Sequence, residues 1–202
     1  FLPDYEIKEW NESNYDVRKI PYTTQAYDEK KYAFVSDYAR FDILYQYGGI
    51  YFDTDVEVIK DMSEIIEKGA FMGVETPGNI ATGLGLAVEP RNSIYLEIIN
   101  SYKKSFFINE NKSLNLTTVV TRVTEIFKQY NLKITNSIQV IKGISIYPVE
   151  YFCPMSLDTG KITITDNTYT IHHYTGSWTS KTEQHYKIIR MKLIKYFGKW
   201  LG

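Results

Sequence analysis

The chain has 202 residues, 44% apolar and 23% charged, which is enough to bury one sizeable core and form a single domain over 1–202. Its 23 basic and 24 acidic side chains leave a net charge of −1, with no overall bias toward nucleic acid, and no apolar run approaches the ~20 residues of a membrane-spanning helix. The single Cys153 excludes an internal disulfide and, with no secretory signal in "FLPDYEIKEW", points to a reducing, cytoplasmic setting.

In chain order, "YEIKEWN" (5–11) alternates like a half-buried strand. From 28 to 47 the apolar residues recur at helical spacing, and Gly48 and Gly49 end that helix. "IYFD" (50–53) and "VEVIK" (56–60) are short extended pieces, "AFMGVE" (70–75) is a strand, and "IATGLGLAVE" (80–89) is an irregular strand with close approaches at its glycines. "SIYLEIINSYKKSF" and "LTTVVTRVTEIFKQY" are helices, the first preceded by Arg91 and Asn92. "IQVIKGISIYP" reads as a strand, "KITITDNTYTIHHY" as a hairpin turning at Asp166 and Asn167, and 183–200 as a last helix. Strands alternating with helices imply an α/β fold with a largely parallel, mixed sheet.

Chemistry concentrates around Asp53 and Asp55. On a strand the two face one side about 6.6 Å apart at roughly 3.3 Å per residue, which is either a harmless solvent-facing strand end or a costly pairing of like charges that needs something positive between them. Should one ion be what sits there, the spacing is wide for both to grip it, so their roles would split and a further ligand would be needed from elsewhere in the chain. His172 and His173 are neighbours on a strand, so only one of them can enter such a site; the plain alternative is that both pack at a strand end. Asp37 and Arg40 share one face of the preceding helix, either as a surface ion pair or as part of the site.

"SDYARFDILYQYGGIYFDTDV" (36–56) resembles the sugar-nucleotide region of the DxD-containing glycosyltransferases. This family 32-like group includes the yeast initiating α-1,6-mannosyltransferase and bacterial capsule and polysaccharide enzymes, and is related to the clostridial glucosylating toxins. Ser36, Asp37, Arg40, the double glycine, Tyr51 and both aspartates stand in register. The resemblance implies a GT-A fold with a mixed, mostly parallel central sheet flanked by helices. It further implies a nucleoside-diphosphate sugar donor (UDP-sugar favoured, GDP-sugar the alternative), Mn2+ or Mg2+, and transfer with retention by front-face attack. Asp55 then binds the metal, while Asp53 bonds a ribose or sugar hydroxyl and touches the ion less directly. Asp37 and Arg40 hold sugar hydroxyls, with Ser36 and Tyr51 beside the donor. His173, followed by Thr175, Gly176, Ser177 and Trp178, matches a late element in which the histidine ligates the ion and Ser177 or Trp178 meets the diphosphate. Asn79 and the glycines after it form either the floor under the donor sugar or plain structural turns. Relatives open with an Ile- and Pro-rich strand ending in a histidine-aromatic-tryptophan element, so the first strand is expected to be missing here.

The expected acceptor is a saccharide or lipid-linked hydroxyl in bacterial surface polysaccharide synthesis. Transfer to a protein hydroxyl, and a non-catalytic sugar-nucleotide module, are the competing readings. In the last helix Lys192, Lys195 and Lys199 form a basic stripe beside an apolar face of Ile189, Leu193, Tyr196, Phe197 and Trp200. That face suits either a peripheral membrane contact or packing on the protein's own core.

Overall fold

Pro21, with its fixed φ and missing N–H, opens the first helix, α1 (Pro21–Asp28). The second, α2 (Tyr32–Tyr47), is separate from it, so the expected helix over 28–47 starts four residues late. Lys30, at φ 58, turns the chain between the two. The computed structural model describes residues 2, 5–156 and 159–175; the expected last helix, with its basic stripe, lies outside them. Gly48 and Gly49 end α2 at φ 67 and 105, and a Cβ on Gly48 would meet Pro90 at 2.7 Å. Glycine is required at that turn on both counts.

The chain then runs through β1 (Gly49–Tyr51), β2 (Val56–Val58), α3 (Ser63–Glu67), β3 (Phe71–Thr76) and β4 (Asn79–Val88). Next come α4 (Ser93–Lys103), capped by the Asn92 side chain, and α5 (Val119–Lys128), capped by Thr118. β5 (Gln139–Ile141), β6 (Ile144–Tyr147), α6 (Val149–Phe152) and β7 (Thr170–His172) follow.

The main sheet has the order β1-β4-β3-β6-β5, and β2 pairs with β7 in a separate two-stranded sheet. The sheet is mixed, but it is not mostly parallel: among the described residues β3 and β6 are its only neighbouring strands that pair in parallel. The reason is local. Thr76 and Asn79 are joined by a Pro77-Gly78 turn, and Ile141 and Ile144 by Lys142 and Gly143, both at positive φ. Such short links can only reverse a strand, whereas β3 and β6 are separated by α4 and α5. The run 138–148, expected as one strand, is therefore a hairpin.

Two other expectations are corrected. Residues 5–11 form no strand and Ile7 is 95% exposed, because alternation decides a strand's faces but not its partner. The turn at Asp166 and Asn167 is present, yet its arms do not pair with each other: Ile162 bridges Met155 and β7 goes to β2.

Alternation does fill the two faces of the main sheet. Met72, Val74 and Ile80 pack against α1, α2, α4 and α5, with buried tyrosines such as Tyr38 and Tyr102 meeting edge to face at 5.7 Å. Phe71, Ala81 and Leu84 pack on the other side with Met62, Ile65, Phe152 and Cys153. β4 is broken by a wide bulge, since Met72 pairs with Leu86 but Gly73 with Ala81, leaving 82–85 outside the β3 ladder. Gly85 in that bulge sits at φ 137, and a Cβ there would meet the Phe52 ring at 2.6 Å. Gly85→Ala should lower stability by about 1–3 kcal/mol through crowding and backbone strain, read as a lower denaturant midpoint at unchanged slope.

Candidate functional site

The site grows from α2, where Arg40 points inward with only 6% of its side chain exposed. An unpaired guanidinium buried to that degree costs several kcal/mol, so its partners decide whether it can exist there. Arg40 Nη2 donates to Asp37 Oδ1 at 2.9 Å, and Nη1 lies 3.1 Å from Asp53 Oδ1. Its Nε donates to the Ser36 carbonyl, and the guanidinium lies 4.6 Å from the centre of the Tyr51 ring. Tyr51 in turn donates its hydroxyl to Asp53 Oδ1 at 2.7 Å. The Asp37–Arg40 pair is thus interior, not a surface pair, and the guanidinium orients two carboxylates.

Asp53 is held from a third side by the β4 bulge. Its N–H donates to the Gly83 carbonyl at 3.0 Å, and a Cβ built on Gly83 would overlap the Asp53 carboxylate. The β1 ladder stops at Tyr51, and Val56 N–H returns to the Asp53 carbonyl, so 53–56 is a turn. The strand-based spacing of the two aspartates therefore does not apply. The turn swings Asp55 round, and donor atoms of Asp53, Asp55 and His172 all lie within 4.8 Å of one another.

His172 is the histidine that enters; its Nε2 is 3.0 Å from Asp55 Oδ1. His173 points to the opposite side, with Nε2 2.9 Å from Glu57 Oε2 and its side chain 39% exposed. Only one of the two faces the aspartates, as strand alternation requires, but the register is one residue from the expected one. The other Asp55 oxygen accepts both the Thr175 N–H at 2.8 Å and the Thr175 hydroxyl at 3.0 Å. Burial acts to raise the Asp55 carboxyl, but the Thr175 N–H, His172 and the Thr175 hydroxyl outweigh it and hold it below the usual carboxylate range. Burial pushes His172 below the ordinary histidine value against the pull of Asp55 and Asp53. An ionised carboxylate and a neutral imidazole are the forms that bind a metal. Among the described residues His172 Nδ1 is buried without a hydrogen-bond partner, while Nε2 faces Asp55.

Two carboxylates and an imidazole fit a divalent ion such as Mn2+, and among the described residues this group could hold one. Of the other expected residues, Ser36 is on the exposed side of α2 with its hydroxyl on the Ala33 carbonyl. Asn79 opens β4 at the Pro77-Gly78 turn, donating to Thr76 Oγ1, four residues before the glycine that meets Asp53. Ser177 and Trp178 lie outside the described residues. Sequence reasoning missed Thr175 as an Asp55 partner, and Thr82, whose hydroxyl is 3.5 Å from Arg40 Nη1.

Residues 1–72 match the family described as glycosyltransferase sugar-binding region containing DXD motif. An uncharacterized glycosyltransferase of Acanthamoeba polyphaga mimivirus is 26% identical over 185 residues, 88% of this chain and 69% of that protein. A mannosyl phosphorylinositol ceramide synthase of Saccharomyces cerevisiae is 27% identical over 113 residues, 52% of this chain and 30% of that protein. No solved structure matches the chain at a comparable level. The family match and the two relatives support a glycosyltransferase of the DXD kind, and the fold, α/β with a mixed five-stranded sheet flanked by helices, is compatible with GT-A.

Two outcomes follow from the geometry. Burial first, and the Asp53 charge with it, push the Asp37 carboxyl up to about 6 against the pull of Arg40. The folded state then holds that proton more tightly than the unfolded chain, so stability from this group is full only below the ordinary carboxyl value of about 4 and is lost as pH rises from there through about 6. Thermal melts from pH 4 to 7 should show a decline in the parent that Asp37→Asn lacks. Gly83→Ala should leave the fold intact, because the obstructing carboxylate is the movable end of a side chain. It should weaken Mn2+ binding by about tenfold or more, the scale on which groups supporting a metal site act, as seen in the Mn2+-dependent rise in melting temperature.

Proposed function

We propose that this chain is a metal-dependent, retaining glycosyltransferase that moves a sugar from a nucleoside diphosphate, a UDP-sugar in first place and a GDP-sugar in second, to an acceptor hydroxyl. The observation that carries the reading is the Asp53, Asp55 and His172 group, backed by the buried Arg40 and its two carboxylates. A divalent cation held by these three residues, Mn2+ ahead of Mg2+ because imidazole is among the ligands, would act as a Lewis acid on the departing diphosphate.

The protein's own groups do the rest by position. Asp37 and Asp53 accept hydrogen bonds from donor hydroxyls, and Arg40 keeps both carboxylates in place as the donor enters. Ser36 and Tyr51 line the donor's path, with Asn79, Ser177 and Trp178 assigned to its far side and to the diphosphate. Ser36, one helical turn before Arg40, also lines a pocket of about 270 Å3 with Trp10, Tyr15, Tyr27 and Tyr32. That adjacency favours the pocket as the seat of the donor's base, whose flat face suits such rings. The acceptor is a saccharide or lipid-linked hydroxyl; the yeast relative's name, a mannosyl phosphorylinositol ceramide synthase, favours a lipid-linked one. A bacterial surface polysaccharide rests on the sequence resemblance alone.

The test is release of nucleoside diphosphate from a panel of UDP- and GDP-sugars with Mn2+, comparing the parent with Asp55→Asn. Turnover that needs Mn2+ and falls about 100-fold or more in the variant is expected, since even groups supporting a metal ligand act on the 10- to 100-fold scale. Binding of UDP with Mn2+ but no turnover on any donor would return the chain to a sugar-nucleotide binding module.

A further inference from the structure

Tyr174 is a large aromatic residue at φ 49, a left-handed conformation that such side chains rarely adopt. Strain of this kind persists only where the surroundings over-determine it. Here they do. The Tyr174 hydroxyl lies 2.9 Å from Cys153 Sγ and hydrogen-bonds the half-buried Glu75 carboxyl. Burial pushes the Cys153 thiol up to about 11, so it stays protonated and donates to the tyrosine oxygen while the tyrosine donates to Glu75. The Tyr174 ring packs on the core layer of Phe71, Phe152 and Cys153 and stands edge-on to His172, with ring centres 4.0 Å apart.

What the strained turn accomplishes is visible one residue either side. His172 and Thr175 take the two oxygens of Asp55, and the His173 N–H donates to the Asp55 carbonyl at 3.0 Å. Residues 172–175 thus enclose Asp55, and the left-handed turn at Tyr174 is what brings the Thr175 N–H back onto the carboxylate. We infer that Tyr174 is the positioning residue of the metal centre, its hydroxyl pinned between Cys153 and Glu75 so that His172 and Thr175 fix the Asp55 carboxylate for the ion. The inference rests on the reading of Asp53, Asp55 and His172 as cation ligands.

The test uses Tyr174→Phe, which keeps the ring and removes only the pin, beside the parent and Asp55→Asn. Mn2+ affinity is read by electron paramagnetic resonance of the free ion, and closure of the turn by hydrogen exchange of the Thr175 amide. Tyr174→Phe should bind Mn2+ about tenfold more weakly and exchange the Thr175 amide faster, while melting cooperatively. A lower melting temperature with unchanged Mn2+ affinity and unchanged Thr175 exchange would make Tyr174 an ordinary packing residue and overturn the inference. If the parent binds no more Mn2+ than Asp55→Asn, the cation reading fails first, and unchanged Thr175 exchange would then sink the positioning role as well. Glu75→Gln, which keeps an acceptor for the tyrosine hydroxyl, should retain parent-like affinity.

Discussion

Everything at this site depends on one buried positive charge. Arg40 sits in the interior on the strength of two carboxylates, Asp37 on its own helix and Asp53 beyond the first strand. The dependence is mutual, because Asp37 and Asp53 are like charges that need the guanidinium between them to coexist. Arginine suits this role where lysine would not: its flat fork reaches both acids, the Ser36 carbonyl and the Tyr51 ring at once. The turn Gly48-Gly49 sets the distance, bringing β1 back beside α2 so that charges thirteen residues apart can meet.

The second constraint is steric. A regular β4 would present side chains to the end of β1. Instead the strand leaves its ladder at 82–85 and offers glycines, one under the Phe52 ring and one under the Asp53 carboxylate. Phe52 and Asp53 settle into backbone contact that no other residue type would allow. The irregularity of "TGLG" is thus a fitting of the sheet to the strand above it.

Much of this was legible in the sequence, and the losses have clear causes. The helix, double glycine and aspartates are contiguous, so their local spacing carries the geometry and Asp37, Arg40, Asp53 and Asp55 do converge. Residues 171–173 were harder. Thr170 and Ile171 are both buried, so that strand has no wet side from which to choose between His172 and His173. The choice is made by register with β2, where Val56 faces His172, and pairing over such a separation leaves no local mark. The sheet was misjudged in direction because "IQVIKGISIY" hides a two-residue reversal inside what reads as one apolar run. At 5–11, the pattern was correct for a strand but said nothing of a partner.

The two-stranded sheet of β2 and β7 has a kinetic side. Asp55 and His172 are 117 residues apart, and closing a loop of that length costs about 4 kcal/mol in chain entropy before the two can meet. Arg40, by contrast, meets Asp37 within a single helical turn. The acidic half of the centre can therefore assemble early and locally, while its histidine arrives only when nearly all the intervening chain is in place. Pairings that form last and are held by a three-residue strand are also the ones most readily surrendered. The centre thus joins a half set by local sequence, Asp37 with Arg40, to a half that exists only through long-range pairing, Asp55 with His172.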